Sequence, residues 1–420
     1  MLIDFTMKNF KSFKSETSLS AEVGERLSKY RQTNTLKTAT TTILKNLLIF
    51  GPNGSGKSNL LDGIQKMQTM VLNNPTKVTE PLSVDNFSFD DRSDTKDTVF
   101  RMTFSTTQHT FRYGFSYNRK QVTSEKLELV LKTSVKPYFV RNGTTVESSS
   151  KLIREINQMT KKNSLLLFTA QQHNDALATE AFTWFAENLI FVGDYAVTPV
   201  VSELLGLAQD ESIKAQLLTF LHFADFNIVD LEVTEQPAAW SNPTVAPAMM
   251  NQLFTVHKKY NENGQLIGKT RLAIARESRG TQKILMIALA FINAELTSND
   301  KTLLFDEFDD SLHLELSQAM IKIFNSQANQ NQFILTTHEL QLLDSEVRVD
   351  QIYLVEKDFK GESDLNAIFD FKDTRHTTRN GISYMKRYLE GRFGATPIID
   401  SDRMLAALTK KVKSPNELGD

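Results

Sequence analysis

Residues Gly51 to Ser58 read GPNGSGKS, a complete match to the phosphate-loop pattern of a glycine, four residues, then Gly-Lys-Ser. The run LLIF before it, Leu47 to Phe50, is the buried strand that such a loop must leave. Behind it Leu60, Leu61, Ile64 and Met67 recur at the spacing of one helix face. A glycine-rich turn between strand and helix points successive backbone N–H groups at nucleotide phosphates. In that context Lys57 is expected to reach the β- and γ-phosphates and Ser58 to ligand Mg²⁺, with Asn53, Gly54, Ser55, Gly56 and Asn59 completing the cradle. ATP and Mg²⁺ are therefore the expected cofactors. A chance glycine-rich turn is the competing reading, and the strand before and helix behind argue against it.

The rest of the composition narrows the class. A chain of 420 residues can build one large or two ordinary cores, and the absence of cysteine excludes disulfides and thiolate metal sites. No apolar run approaches the roughly 18 residues of a membrane span, and the first residues alternate rather than form a signal-peptide core, so a soluble, cytoplasmic protein with no membrane partner is expected. Forty-eight basic against fifty acidic residues give a net charge of -2, so global charge does not indicate nucleic-acid binding. The lysine-containing stretch from Lys120 to Arg141 alternates like a strand and is read as a solvated sheet edge.

Short strand-like runs (LIDFTMKNF, TTILKNLLIF, TVFRMTFST, TFRYGFSY, KLELVLKT) mark residues 1–150 as a β-rich lobe carrying the phosphate loop. Helical spacing in LIREINQM, ATEAFTWFAENLIFV and ESIKAQLLTFLHFADF marks 151–235 as a helical insertion. Gln236 to Met250, with three prolines, reads as a loop, and FTVHKKYNENGQLIGKTRLAIA as a hairpin turning at Asn263-Gly264. Residues 236–375 then form a second lobe of alternating strands and helices, and 376–420 a helical extension with a polar tail. No repeat and no long heptad run is present.

Three further motifs bear on chemistry. TLLFDE ends a buried strand in two acids: Asp306 is placed to hold Mg²⁺ and Glu307 to polarise the attacking water, although an acidic loop opening is the plainer reading. QFILTT ends at His338, which is either a structural histidine or a γ-phosphate contact at the same sheet edge. ESRGTQK, Glu277 to Lys283, opens an apolar helix whose small residues can expose N–H groups to an anion. The phosphate loop already has its own helix, so this second anion site is surplus in one chain. It makes sense if Ser278 and Gly280 cap the γ-phosphate held by a second copy.

Taken in order, GPNGSGKS, ESRGTQ, LLFDEFDDSLH and TTH resemble the ABC-type ATPase heads of the SMC and RecF superfamily. The resemblance implies an α/β fold: an ABC-type (SMC/RecF-like) P-loop ATPase head with a β-rich N-terminal lobe and a helical insertion. FTMKNFKSF resembles the first strand of that class, which makes Lys11 and Ser12 candidates for approaching the nucleotide. Asp310 and Ser311 match the dimer-crossing loop and His338 the switch histidine. More narrowly, RVDQIYLVEKDFKGESDL with YLEGRFGATPII resembles the compact AAA ATPases of bacterial antiviral and abortive-infection systems, the RloA and AbiL type. That likeness implies a head-to-tail homodimer with two ATPs at its interface, controlling a separate, commonly nuclease-like, effector encoded next to it. Two departures stand out: Arg279 occupies a position where a small residue is usual, and the glutamine loop is missing, with Asn86 and Gln65 as substitutes. The alternatives are a RecF-like DNA-repair ATPase, an ATPase fused to a TOPRIM-like nuclease using Glu356, Asp400 and Asp402, or an interaction protein with a dead site.

Overall fold

The strand that feeds the phosphate loop is buried along its whole length, and its alternation explains the architecture. In this computed structural model, which describes residues 1–196, 198–224, 226–237, 249–297, 299–371, 383–394 and 400–409, Leu47 and Ile49 enter one hydrophobic core while Leu48 and Phe50 enter another. Side chains alternate across a strand, so a sheet covered on both faces needs apolar residues at every position. The neighbouring strands obey the same rule: Leu304 and Ile334 face the first core, Leu303, Phe305, Phe333 and Leu335 the second.

In chain order the strands and helices are β1 (Leu2–Lys8), β2 (Thr17–Ser20), β3 (Thr35–Lys37), β4 (Thr42–Leu44), β5 (Asn46–Phe50), α1 (Lys57–Leu72), β6 (Thr98–Ser105), β7 (Thr110–Tyr117), β8 (Val122–Val130), β9 (Val135–Asn142) and β10 (Thr145–Ser148). Then come α2 (Lys151–Met159), α3 (Leu166–Gln172), α4 (Ala176–Thr183), β11 (Leu189–Val192), α5 (Pro199–Gly206), α6 (Glu211–Phe223), β12 (Asp230–Pro237), β13 (Met249–Tyr260) and β14 (Leu266–Ala273). The rest is α7 (Arg279–Leu296), β15 (Thr302–Phe305), α8 (Leu314–Phe324), β16 (Gln332–Thr337), β17 (Ile352–Lys357), β18 (Ser363–Ala367), α9 (Tyr384–Leu389) and α10 (Ser401–Thr409).

The central sheet runs β11-β15-β16-β5-β17-β18, parallel except for β18. An antiparallel sheet, β10-β9-β8-β7-β6-β1-β2, shares the first core with the apolar face of α1 and with α2 to α4. Helices α5 to α8 cover the other face of the central sheet. This is a mixed α/β architecture, with a mostly parallel central sheet between helices on one face and an antiparallel sheet with its helices on the other.

Three sequence expectations change. LIFV, read as the end of a helix, is instead β11, a parallel edge strand beside β15. The chain therefore crosses the central sheet inside the segment 151–235: α2 to α4 serve the first core and α5 and α6 the second. The stretch from Lys120 to Arg141 is a solvated sheet edge only in part: β8 lies inside the sheet, and β10 covers β9 from Phe139 to Asn142, which leaves the exposed start of β9 as outer edge. Arg141 is buried, ion-paired to buried Glu125, because that carboxylate also accepts the first N–H groups of α3 from Leu166 and Leu167. The loop expected at Gln236 to Met250 begins and ends in strands, since Gln236 pairs with Met250 and Pro237 with Met249. Residues 238–248 within it, the Ala395–Ile399 part of YLEGRFGATPII and the polar tail beyond Thr409 lie outside the described residues. The hairpin at Asn263-Gly264 forms as expected, with Gly264 at φ 76°.

Candidate functional site

The parallel order β15-β16-β5 brings three loops out along one sheet edge. Phe305 pairs with Leu335 and Phe50 with Thr337, so the next residues on the three strands, Asp306, His338 and Gly51, emerge together. This is the edge at which a strand-to-helix turn presents ligands in parallel α/β sheets.

The phosphate loop is shaped by two left-handed glycines, Gly54 at φ 76° and Gly56 at φ 118°. Gly56 is the N-cap of α1 and provides no side-chain cap, so the orphan N–H groups of that first turn are left for another acceptor. A Cβ at Gly56 would stand 2.5 Å from Ser363 Oγ and 2.9 Å from Ser12 Oγ. The side chains that press on the loop from outside are thus Ser12 and Ser363. Ser363 Oγ donates to the Ser55 carbonyl and to Ser12 Oγ, which also accepts from Asn59 Nδ2 at 2.8 Å. Asn53, Gly54 and Ser58 are exposed, while Ser55 Oγ is buried without a partner.

Lys57 is buried, its ammonium donating to the carbonyls of Gly51 at 2.8 Å and Pro52 at 3.3 Å. Burial pushes its pKa down, and the carboxylates of Glu307, Asp306 and Asp309 act the other way. The parallel pairing of β15, β16 and β5 brings the Asp306–Glu307 strand end out at the same sheet edge as the phosphate loop. Asp309, which sequence reasoning missed, is itself buried; burial raises its pKa, and one of its carboxylate oxygens has no hydrogen-bond partner.

Glu307 sits in the left-handed region at φ 46°, a conformation a non-glycine residue holds at a cost of roughly 1–3 kcal/mol and keeps only when its surroundings fix it. Two side chains do so. Thr336 Oγ1 accepts the Glu307 N–H at 2.8 Å while donating to Asp306, and Lys283 Nζ donates to the Glu307 carbonyl. Lys283 comes from α7, one turn beyond the signature, and is also ion-paired with Asp194 at 3.3 Å. Neither Thr336 nor Lys283 was singled out in the sequence, although both lie inside quoted motifs.

Ser278 is the N-cap of α7, its hydroxyl accepting the Thr281 N–H at 3.1 Å. Gly280 lies against Ser311, whose carbonyl would be 2.5 Å from an added Cβ. Ser278 and Arg279 are exposed, and among the described residues no hydrogen bond or ion pair joins Ser278, Arg279 or Gly280 to residues 51–58. Within one chain these three residues and the phosphate loop therefore share no polar bond among the described residues, although Lys283 of the same helix bonds the Glu307 carbonyl. His338 is exposed beyond β16, with Asp309 within its electrostatic reach.

Two expected residues are otherwise engaged. Lys11 ion-pairs with Asp62 on α1, and its N–H donates to the Asp85 carbonyl. Asn86, one substitute for the glutamine loop, donates to the carbonyls of Ser93, Asp94 and Lys96 and accepts from Thr98, so its amide closes its own loop. Gln65, the other, lies on the exposed face of α1.

Among the described residues no group of three or more His, Asp or Glu side chains is arranged to hold a metal. The donor set at this edge, one hydroxyl and one exposed carboxylate, suits Mg²⁺ bound jointly with phosphate oxygens. Glu356 lies on β17, beside β5 in the central sheet, and Asp400 pairs with Arg403 at the start of α10. No helix among the described residues is long and apolar enough to cross a membrane.

The chain is similar to two solved structures: the "SMC head domain from Thermotoga maritima", at 14% identity with 87% of this chain and 98% of that chain covered and a TM-score of 0.40, and an SmcHead "bound to the C-winged helix domain of ScpA", at 12% identity with 87% and 97% covered and a TM-score of 0.46. No curated protein matches it. Residues 47–344, more than half of the chain, match a family whose span runs from the phosphate-loop strand through the signature and the Asp306–Glu307 strand end to the segment after His338. The chain belongs to that family, described as "AAA domain, putative AbiEii toxin, Type IV TA system".

Proposed function

We propose that this chain is an ATP-binding and ATP-hydrolysing controller of a bacterial anti-phage, abortive-infection system of the RloA and AbiL type. In this reading it dimerises head to tail on ATP and regulates a separate toxic effector, nuclease-like, encoded beside it. The observation that carries the ATPase part is the shared sheet edge at which the phosphate loop and the Asp306–Glu307 strand end emerge, with Glu307 held in a strained backbone by Thr336 and Lys283. In the proposed chemistry the phosphate-loop N–H groups and Lys57 hold the triphosphate. Ser58 and Asp306 hold Mg²⁺, which when bound neutralises charge on the phosphates. Glu307 orients and deprotonates the attacking water, and His338 contacts the γ-phosphate. Ser278 and Gly280 serve the site of the second copy, which is supported by the lack of any hydrogen bond or ion pair between them and the phosphate loop among the described residues. Lys11 is held by Asp62, and Ser12 and Asn59 shape the loop from outside; contact of the three with nucleotide is part of the proposal. The defence role rests on the toxin–antitoxin description of the family.

Glu307→Gln is expected to retain ATP affinity and lower turnover on the order of a hundredfold or more, read by nucleotide binding and phosphate release. Co-expression with the adjacent gene product is expected to give a complex whose release depends on Glu307. Near-wild-type turnover in E307Q removes the base assignment. Nucleic-acid cleavage by the chain alone, abolished by changing Asp400 and Asp402, overturns the controller reading in favour of a fused nuclease.

A further inference from the structure

The third sheet ends in a bare ribbon. β12 accompanies β13 only as far as the pair Asp230 and Val256, whereas β13 and β14 continue to the pair Tyr260 and Leu266. From Lys258 outward the two strands therefore have only each other, and every residue from Lys258 to Arg271 except Asn261 is exposed. An isolated two-stranded hairpin is marginal in water, and like charges directly opposite each other weaken it further. Yet Lys258 stands opposite Lys269, with Lys259 beside them. None of the three has a carboxylate partner among the described residues, although Arg271 is paired with Glu232 at 3.4 Å and the turn carries Glu262. The ribbon adds Tyr260, Leu266 and Ile267, each more than half exposed.

We propose that this ribbon docks in the major groove of duplex DNA. Three unpaired lysines on adjacent strands suit phosphates on either side of a groove, and binding would relieve the repulsion that the free ribbon carries. A major groove of B-form width admits a two-stranded β-ribbon, whereas the deep, narrow major groove of A-form RNA does not. Tyr260, Leu266 and Ile267 then meet sugar edges and thymine methyl groups rather than water.

The root of the ribbon touches the signature. Thr255 donates to Glu277, and His257 Nε2 lies 2.7 Å from the same carboxylate oxygen. Glu277 immediately precedes Ser278, so DNA that shifts β13 acts on the start of α7 and through it on ATP turnover. This coupling rests on the ATPase proposal; the DNA binding does not.

The test is fluorescence anisotropy of the full chain with labelled duplex DNA and duplex RNA of one sequence over a salt series, alongside ATP turnover with and without DNA. The wild type is expected to bind the DNA duplex better than the RNA and to turn over ATP faster with DNA. K258A/K259A/K269A is expected to lose at least roughly tenfold in affinity and about one unit of salt slope per lysine, with DNA-free turnover and melting temperature unchanged. The single variant K269Q provides a milder second reading if the triple variant misfolds. No DNA binding by the wild type, or binding and slope unchanged in the variants, overturns the proposal. Equal RNA binding overturns the groove placement. Loss of an acidic protein partner in place of DNA assigns the ribbon to that partner and overturns it too. A wild type that binds DNA but hydrolyses no ATP removes the ATPase reading and leaves the ribbon standing.

Discussion

Two helices of this molecule begin at candidate phosphate sites, and they begin differently. α1 starts at Gly56, left-handed and without a side-chain cap, behind a second left-handed glycine. α7 starts at Ser278, whose own hydroxyl caps the Thr281 N–H. The first leaves its donors for a ligand whose place is set by a fixed loop, clamped from outside by Ser12 and Ser363. The second satisfies part of its need internally and has to exchange or extend that cap when a ligand arrives. The difference fits a site built within one chain at α1 and one completed only on assembly at α7.

The comparison breaks most readily at Gly56. Gly56→Ala puts a methyl group 2.5 Å from Ser363 Oγ in a backbone region that alanine disfavours. Strain of roughly 1–3 kcal/mol corresponds to an about fivefold to 150-fold loss of ATP affinity if it falls on the loop conformation that binds. Calorimetric titration with ATP measures it. Unchanged affinity would mean that the α1 terminus does not set the phosphate site.

Lys283→Met tests whether the two helices communicate within a chain. Removing the ammonium releases the carbonyl of Glu307 from α7 but leaves Thr336 holding its N–H. A general base displaced by a fraction of an ångström is expected to lower kcat by about tenfold with little change in KM, and Lys283→Arg to recover part of it. A raised KM at constant kcat would show that Lys283 serves binding and not the base.

What was legible beforehand was local. GPNGSGKS and the Asn263-Gly264 turn each take the backbone form that their glycines allow, and TLLF is the buried strand that its apolar run predicts, although Glu307 behind it departs from the form its type prefers. What escaped depends on distance in the chain. Ser363 reaches the phosphate loop across 308 residues, and Lys283 reaches the turn that holds Glu307 from α7. LIFV reads as helix because four apolar residues after a helical run continue a helix pattern as well as they begin a buried strand; only its parallel pairing with β15 decides between them. Arg141 reads as solvated because nothing in its neighbourhood announces that Glu125 and the start of α3 wait for it inside the sheet.

The smallest effect on the isolated chain is expected at Ser278. Ser278→Ala removes a helix cap at a cost of about 1 kcal/mol, which in a chain of this size shifts Tm by no more than a few degrees. ATP binding at its own phosphate loop is expected to be untouched, because no hydrogen bond or ion pair joins the two regions among the described residues. Turnover is where the two helix termini meet. If α7 completes the site of a second copy, S278A and Lys57→Ala are each inactive alone, since every site in either homodimer lacks one part. Mixing them in equal amounts makes half the dimers heterodimers, each with one intact composite site of two, so activity is expected to return to about a quarter of the wild-type level. Recovery at that level, measured as phosphate release after subunit exchange is demonstrated, ties the self-capped terminus of α7 to the uncapped terminus of α1 in another chain. No recovery despite exchange makes the Ser278 cap purely structural, and the contrast between the two helix starts then reflects stability alone.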